Sequence, residues 1–237
     1  MKRILLMVFR LFIMAPVWFV KIWSWGRNDK HTEKEKFELL RHVTIHANRA
    51  GRVKIEPHGL ENLPKKSGYI MFPNHQGLFD VLGFLETSPQ PFTVVMKKEV
   101  ENTILLKQVR VLLKGQCMDR GDIRDSLRVI NQMTREVKEG RNYLIFPEGT
   151  RSRQGNHLLD FKGGSFKSAV NAKCPIVPVA VIDSYQAFDT NSIKRVTVQL
   201  HYLKPLFYEE YSRMRTTEIA AVVKGRIEEA IKQHTES

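Results

Sequence analysis

Three short stretches of this chain are hydrophobic at every position: Tyr69-Ile70-Met71-Phe72, Tyr143-Leu144-Ile145-Phe146 and Ile176-Val177-Pro178-Val179-Ala180-Val181. Each reads as a strand buried on both faces, because successive side chains of a strand point to opposite sides of the sheet and neither side here suits water. Strand is expected over 53–56, 70–72, 92–96, 116–118, 143–146, 176–181 and 196–201, and helix over 78–86, 99–114, 125–138, 164–171 and 217–233. Buried strands alternating with helices predict a single α/β domain with a mixed central β-sheet flanked by helices. No internal repeat or low-complexity linker divides it, and 237 residues suffice for one sizeable core.

The polar residues that follow the first two runs carry the chemistry. Asn74-His75-Gln76-Gly77-Leu78-Phe79-Asp80 sets a histidine and a carboxylate five residues apart. A neutral imidazole can take a proton from a hydroxyl while a carboxylate holds the opposite ring N–H. Residues five apart lie roughly 140° from one another around a helix, so the two side chains meet only across a bend. Gly77 permits one. His75 is therefore expected in the loop leaving a strand, and Asp80 in the first turn of the next helix, where the helix dipole favours a carboxylate. Taken alone, the same residues also describe a solvated loop histidine beside a helix-capping aspartate.

The second run leads into Pro147-Glu148-Gly149-Thr150-Arg151-Ser152. Ligand sites of α/β sheets gather at the carboxyl ends of strands, so two such junctions could open onto one cleft. Arg151 brings a planar charged fork suited to phosphate. Gly149 lets the backbone approach a ligand closely, and Glu148 could accept hydrogen bonds from hydroxyls or fix the arginine. A surface turn with a local Glu148–Arg151 ion pair is the plainer alternative.

His75-x4-Asp80 followed by Phe146-Pro147-Glu148-Gly149-Thr150-Arg151-Ser152 resembles the two hallmark blocks of the glycerolipid acyltransferases, most closely the 1-acylglycerol-3-phosphate O-acyltransferases. Gly115-Gln116-Cys117-Met118-Asp119-Arg120 is similar to that family's strand ending in an arginine, and 176–181 to its proline-containing apolar strand. The blocks occur in family order over about residues 51–185. Cys117-Met118 departs from the branched or aromatic residues more usual there.

The resemblance implies transfer of a fatty acyl group from an acyl thioester, acyl-CoA or acyl carrier protein, to the free hydroxyl of 1-acylglycerol-3-phosphate (lysophosphatidic acid), giving phosphatidic acid. His75 would be the base and Asp80 its orienter. Arg151 and Arg120 are the expected phosphate ligands, with Lys97 a third candidate; Lys97 and Lys98 read equally well as solvated strand-end charges, and Arg120 as an ion-pair partner near a helix start. Glu148, Gly149 and Thr150 would help shape the acceptor site. A base that activates the acceptor implies direct transfer rather than an acyl-enzyme; Cys117, Ser152 and Ser165 have easier readings as packing or turn residues. No metal or redox cofactor is implied, the acyl donor being a cosubstrate. Glycerol-3-phosphate or another lysophospholipid is the alternative acceptor, and a non-catalytic lipid-binding protein the alternative from another class.

Charge agrees with anionic partners: 38 basic against 25 acidic side chains give +13. Without zinc-finger spacing, an aromatic–glycine RNA-binding signature or a long basic tail, nucleic acid is not an expected partner. Two cysteines, Cys117 and Cys174, cannot build a disulfide framework. Residues 1–28 form an expected membrane-associated helical segment: 4–9 and 11–20 are apolar, interrupted by Arg10 and Pro16 and flanked by Lys2, Arg3, Lys21 and Arg27. Arg10 would cost about 2.5–3.5 kcal/mol near the centre of a spanning helix, so a helix or helix pair lying in the interface is favoured over a span, with Trp18, Trp23 and Trp25 at the headgroup boundary. The expected location is the cytoplasmic face of the cell membrane, monotopic or single-span. Residues 29–50 form a linking helix that opens on a Thr32–Glu35 capping box and ends before Gly51, and 51–237 the catalytic domain.

Overall fold

The structure is a computed structural model that describes residues 2–100, 104–119 and 121–235. Its centre is a seven-stranded sheet in the order β1-β7-β6-β2-β5-β3-β4, formed by β1 (Val53–His58), β2 (Ile70–Pro73), β3 (Phe92–Lys97), β4 (Gln116–Met118), β5 (Asn142–Leu144), β6 (Ile176–Ile182) and β7 (Val196–Tyr202). From β6 to β4 every neighbouring pair is parallel. β7 runs antiparallel to β6, and β1 parallel to β7, so the sheet is mixed, as expected.

The apolar runs become the middle of this sheet because both of their faces are covered. Val177, Val179 and Val181 of β6 enter one core, with Phe37, Leu40, Phe84 and Leu112. Ile176, Ala180 and Ile182 enter the other, with Val129, Met133, Ile219, Val223 and Ile227. The first core is roofed by α3 (Glu33–Ala50), α4 (Asp80–Thr87) and α5 (Ile104–Leu112), the second by α6 (Ile123–Lys138), α7 (Lys167–Ala172) and α10 (Thr216–Thr235). Two four-residue helices that the pattern did not announce, α8 (Tyr185–Phe188) and α9 (Tyr208–Tyr211), complete the set.

Local signals hold where a cap or turn has its own chemistry. Thr32 Oγ1 accepts from Glu35 N–H at 3.2 Å and Thr32 N–H donates to Glu35 Oε2 at 2.7 Å, the reciprocal capping box that starts α3. The helix expected over 99–114 is described from Ile104 to Leu112; it stops because Lys114 turns left-handed (φ 51°) and Gly115 N–H reaches back to Arg110 O at 2.7 Å. The strand expected over 143–146 ends at Leu144, since Phe146 already opens a turn in which its carbonyl accepts Gly149 N–H.

The N-terminal segment is a helix pair, α1 (Lys2–Arg10) and α2 (Met14–Gly26), bent by 90°. Neither is long and apolar enough to cross a membrane by itself. Arg3 and Arg10, read from sequence as a flanking and an interrupting charge, face the domain instead. Arg3 is fully buried: Nε donates to Ala187 O at 2.8 Å, Nη1 to Gly51 O at 2.6 Å and Nη2 to Lys194 O at 2.9 Å. Arg10 Nη1 donates to Ala50 O at 3.0 Å. Both thus neutralise the carbonyl end of α3, where the helix dipole favours cations. Trp18 also turns inward, against His42 and His46, and Trp25 stacks on His31 with centroids 3.6 Å apart. The outer face is apolar, with Phe9 at 80% exposure, Ile13 at 71%, Phe12 at 68% and Leu5 at 67%.

Two measurements follow from this packing. Replacing Arg3 by Ala strands buried carbonyls and should loosen α1 by about 3 kcal/mol, read as faster amide exchange over residues 2–10 with little change in the sheet. At the opposite end of the molecule, His201 lies buried between His58 and His234, ring centroids 4.5 and 4.0 Å away. Burial first, and the two neighbouring imidazoles second, push its pKa down to about 4. The unfolded chain therefore takes up this proton before the folded one: stability is full above about pH 6.5 and declines as pH falls toward 4, by roughly 3 kcal/mol in all. His201→Gln should flatten that part of the pH–stability curve.

Candidate active site

β2 lies between β6 and β5, so the loop leaving its carboxyl end is flanked by the loops leaving theirs. Asn74 makes the join on one side. Its side-chain amide pairs with Val181 as a peptide would, Nδ2 donating to Val181 O at 2.9 Å and Oδ1 accepting Val181 N–H at 2.7 Å. The β2–β6 pairing is thereby extended one residue beyond the strand, which delivers the next residue, His75, over the sheet edge.

His75 is then gripped by both of its peptide groups. Its N–H donates to Glu148 Oε1 at 2.6 Å, and its carbonyl accepts Ser152 N–H at 2.8 Å. The imidazole lies on Phe146, centroids 4.0 Å apart and planes 25° from parallel. Nδ1 is 2.7 Å from Asp80 Oδ2. A carboxylate at that distance assigns the proton to Nδ1 in the neutral ring and leaves the lone pair on Nε2. The Asp80 side chain is wholly buried and that of His75 is 20% exposed, so the pair turns the imidazole toward solvent and hides the carboxylate.

Asp80 begins α4, and the intervening residues make the expected bend. Its carboxylate collects Gln76 N–H at 2.8 Å on Oδ2, Gly77 N–H at 3.2 Å on either oxygen, and the Ser184 hydroxyl on Oδ1. Gly77 takes no left-handed turn; a Cβ there would stand 2.5 Å from Asp189 Oδ2, the tip of a side chain that can swing aside, and in ordinary contact, 3.7 Å, with Tyr185 Cα at the start of α8.

The other residues singled out by sequence fall into two groups. Glu148 points inward and is buried; Oε1 holds His75 N–H and Oε2 holds Leu159 N–H at 3.0 Å. Burial pushes its carboxyl above the usual range, opposed by these two backbone bonds. It is a brace for the His75 loop, and neither the ion pair with Arg151 nor an open acceptor for a hydroxyl describes it. Gly149 takes a φ of 78°, which favours glycine. Thr150 is exposed and Arg151 half-exposed beyond that turn, and Lys97 is exposed at the carboxyl end of β3. Because β2, β5 and β3 are parallel, Lys97 and Arg151 share the sheet edge from which His75 projects. Arg120 lies outside the described residues. Among those described, no group of three or more His, Cys, Asp or Glu side chains is arranged to hold a metal ion.

Sequence reasoning passed over the amide network behind the dyad. Gln76 Nε2 donates to Val181 O at 2.9 Å and to Asn156 Oδ1 at 2.7 Å, while its Oε1 accepts Ser184 N–H at 2.8 Å. Asn156 in turn binds Asp183 through both ends of its amide. The signal was available for part of this: Asp183-Ser184 follows a buried strand just as His75 and Glu148 do. Nothing in the sequence marked Asn156.

Comparison with known proteins agrees with the geometry. A family model described as Acyltransferase matches residues 54–182, more than half of the chain. The 1-acyl-sn-glycerol-3-phosphate acyltransferase alpha of Mus musculus is 29% identical over 207 residues, which cover 85% of this chain and 69% of the mouse protein. The 1-acyl-sn-glycerol-3-phosphate acyltransferase of Borreliella burgdorferi is 31% identical over 172 residues, 70% of this chain and 68% of that one. The chain thus spans about two thirds of the length of these relatives. The crystal structure of the 1-acyl-sn-glycerophosphate (LPA) acyltransferase PlsC from Thermotoga maritima shares the fold, with a TM-score of 0.77 over 100% of this chain and 99% of that one at 21% identity. With its apolar strands, its two motif loops and a family model spanning both, the chain belongs to the acyltransferase family.

Proposed function

We propose that this enzyme acylates the free hydroxyl of 1-acylglycerol-3-phosphate from an acyl thioester, forming phosphatidic acid at a membrane surface. The observation that carries the reading is the 2.7 Å contact of His75 Nδ1 with a buried carboxylate, which leaves Nε2 as an outward base. The names of its relatives support the acceptor.

Nε2 takes the hydroxyl proton as the acceptor oxygen attacks the thioester carbonyl. The tetrahedral adduct collapses with cleavage of the carbon–sulfur bond, and the imidazolium returns the proton to the departing thiolate. Asp80 stabilises the transient positive charge and holds the ring. The phosphate is assigned to two cations at the same sheet edge, Arg151 and Lys97, and, by the family resemblance alone, to Arg120. Acyl-CoA and acyl carrier protein are both chemically adequate donors, since each presents the same thioester.

An amphiphilic acceptor calls for a site beside the bilayer. The apolar outer face of α1 and α2 supports an interfacial, monotopic placement, the more so because Arg3 and Arg10 spend their charge on the domain and do not enter hydrocarbon. The cytoplasmic leaflet is the natural side for a net charge of +13.

The test offers purified protein labelled acyl-CoA and acyl carrier donors against lysophosphatidic acid and glycerol-3-phosphate. Phosphatidic acid is the expected product, and its absence with both donors sinks the assignment. His75→Ala should lose roughly 10²–10⁴-fold in kcat; activity equal to an active wild type would remove His75 as the base, and vesicle binding without product in either would favour a lipid-binding role. Arg151→Ala should act mainly through the acceptor KM, raising it about 10- to 100-fold. With the acceptor in anionic vesicles, the double change Phe9→Ser and Phe12→Ser should reduce cosedimentation while transfer to detergent-dispersed acceptor persists; undiminished cosedimentation would rule out the interfacial placement.

A further inference from the structure

Asp80 has a second partner of its own chemistry besides the imidazole. Ser184, two residues past the end of β6, is completely buried, and its hydroxyl donates to Asp80 Oδ1, the oxygen that His75 does not use. Its main chain is not free to drift: Ser184 N–H is held at 2.8 Å by Gln76 Oε1, and Gln76 is itself tied to Val181 O and Asn156. The residue next to the base therefore sets where the serine stands, and the serine sets how the carboxylate is turned.

We propose that Ser184 is a positioning residue for acyl transfer, acting through Asp80 to fix the orientation and charge distribution of the carboxylate behind His75. The inference rests on the assignment of His75 as the base. A carboxylate can rotate about its Cβ–Cγ bond unless both oxygens are engaged. Oδ2 is occupied by His75 Nδ1 and Gln76 N–H; without the Ser184 hydroxyl, Oδ1 keeps, among the described residues, the longer 3.2 Å bond from Gly77 N–H, which it shares with Oδ2. A hydroxyl donated to Oδ1 also withdraws charge from Oδ2, so the carboxylate supports the imidazolium without trapping the proton on it. Loss of that hydroxyl makes Oδ2 the stronger acceptor, and His75 then keeps its proton to higher pH. Other ionisable groups near the dyad are Glu148 under the His75 peptide, Asp183 on Asn156, Asp189 and Tyr185 beside Gly77, and Arg151 and Lys97 at the same carboxyl edge of the sheet. None is altered by a change at 184, so a shift can be attributed to the serine.

The experiment compares wild type, Ser184→Ala and Ser184→Thr in the full chain. Three quantities are read: kcat and acceptor KM, the pH profile of kcat, and the titration of the His75 ring nitrogens by NMR, assigned by their absence in His75→Ala. Ser184→Ala should lower kcat about tenfold near neutral pH with acceptor KM within about twofold, and move both the acid limb and the ring-nitrogen titration curve to higher pH than in wild type. Ser184→Thr, which returns a hydroxyl, should restore both toward wild type. An unmoved titration in Ser184→Ala overturns the proposal, whether kcat is retained or falls together with a raised KM. Should the added methyl of threonine prevent folding, seen as loss of the unfolding transition, the alanine titration decides alone. The NMR readout needs no substrate, so a wild-type protein that forms no phosphatidic acid would overturn the assigned reaction while leaving this inference still decided by its own measurement.

Discussion

The peptide unit on either side of His75 has left the sheet and is no longer paired by a neighbouring strand. Its N–H and C=O must still find partners, because an unpaired backbone group away from water costs on the order of 1–3 kcal/mol. Glu148 and Ser152 supply them, from a loop some seventy residues further along the chain. Nearly everything about the site depends on this grip. It brings the carboxyl ends of β2 and β5 into one structure, lays the imidazole on Phe146, and directs Glu148 inward. A buried carboxylate is an expensive brace, as its raised pKa records. Two backbone N–H bonds offset that cost, and they do so only if the loop stays closed on His75.

The two motifs of the chain thus have unequal duties. The first carries His75 and Asp80, and the second, through Glu148 and Ser152, is mostly an architectural clamp with Thr150 and Arg151 as its outward part. The left-handed Gly149 marks the division, since the chain reverses there from the buried brace to the exposed side chains. On the far side of β2 a similar duty falls to amides. Asn74 and Gln76 both bind Val181, so His75 is anchored to β6 as well as to the loop after β5.

What could be read from the residues depended on whether the cause was local. The all-apolar run 176–181 had to be a central strand, and the Thr32–Glu35 box had to start a helix, because in each case the deciding chemistry lies within a few positions. The bend between His75 and Asp80 was legible for the same reason. Tyr143 to Phe146 misled by one turn: its hydrophobicity promised a strand to the end, whereas Phe146 is buried beneath an imidazole and not within a ladder. The inward direction of Glu148 was hidden, since a glutamate three residues from an arginine and a glutamate under a distant histidine look identical in one dimension. Ser184 and Asn156 were beyond reach on the same ground, their partners lying 104 and 80 positions away. Trp18 was assigned to the headgroups from its preference for interfaces, and its rings found His42 and His46 first.

Arg3 gives the N-terminus a meaning that its apolar neighbours conceal. The three carbonyls it holds belong to the end of α3, to α8 and to the approach to β7, and Ala187 stands only three residues beyond Ser184. The first helix is accordingly a keystone of the loop behind the dyad and not a detachable anchor. Whatever is joined to the α1 side of the chain crowds that guanidinium, whereas an addition on the α10 side, at the far end of the sheet, leaves the keystone untouched.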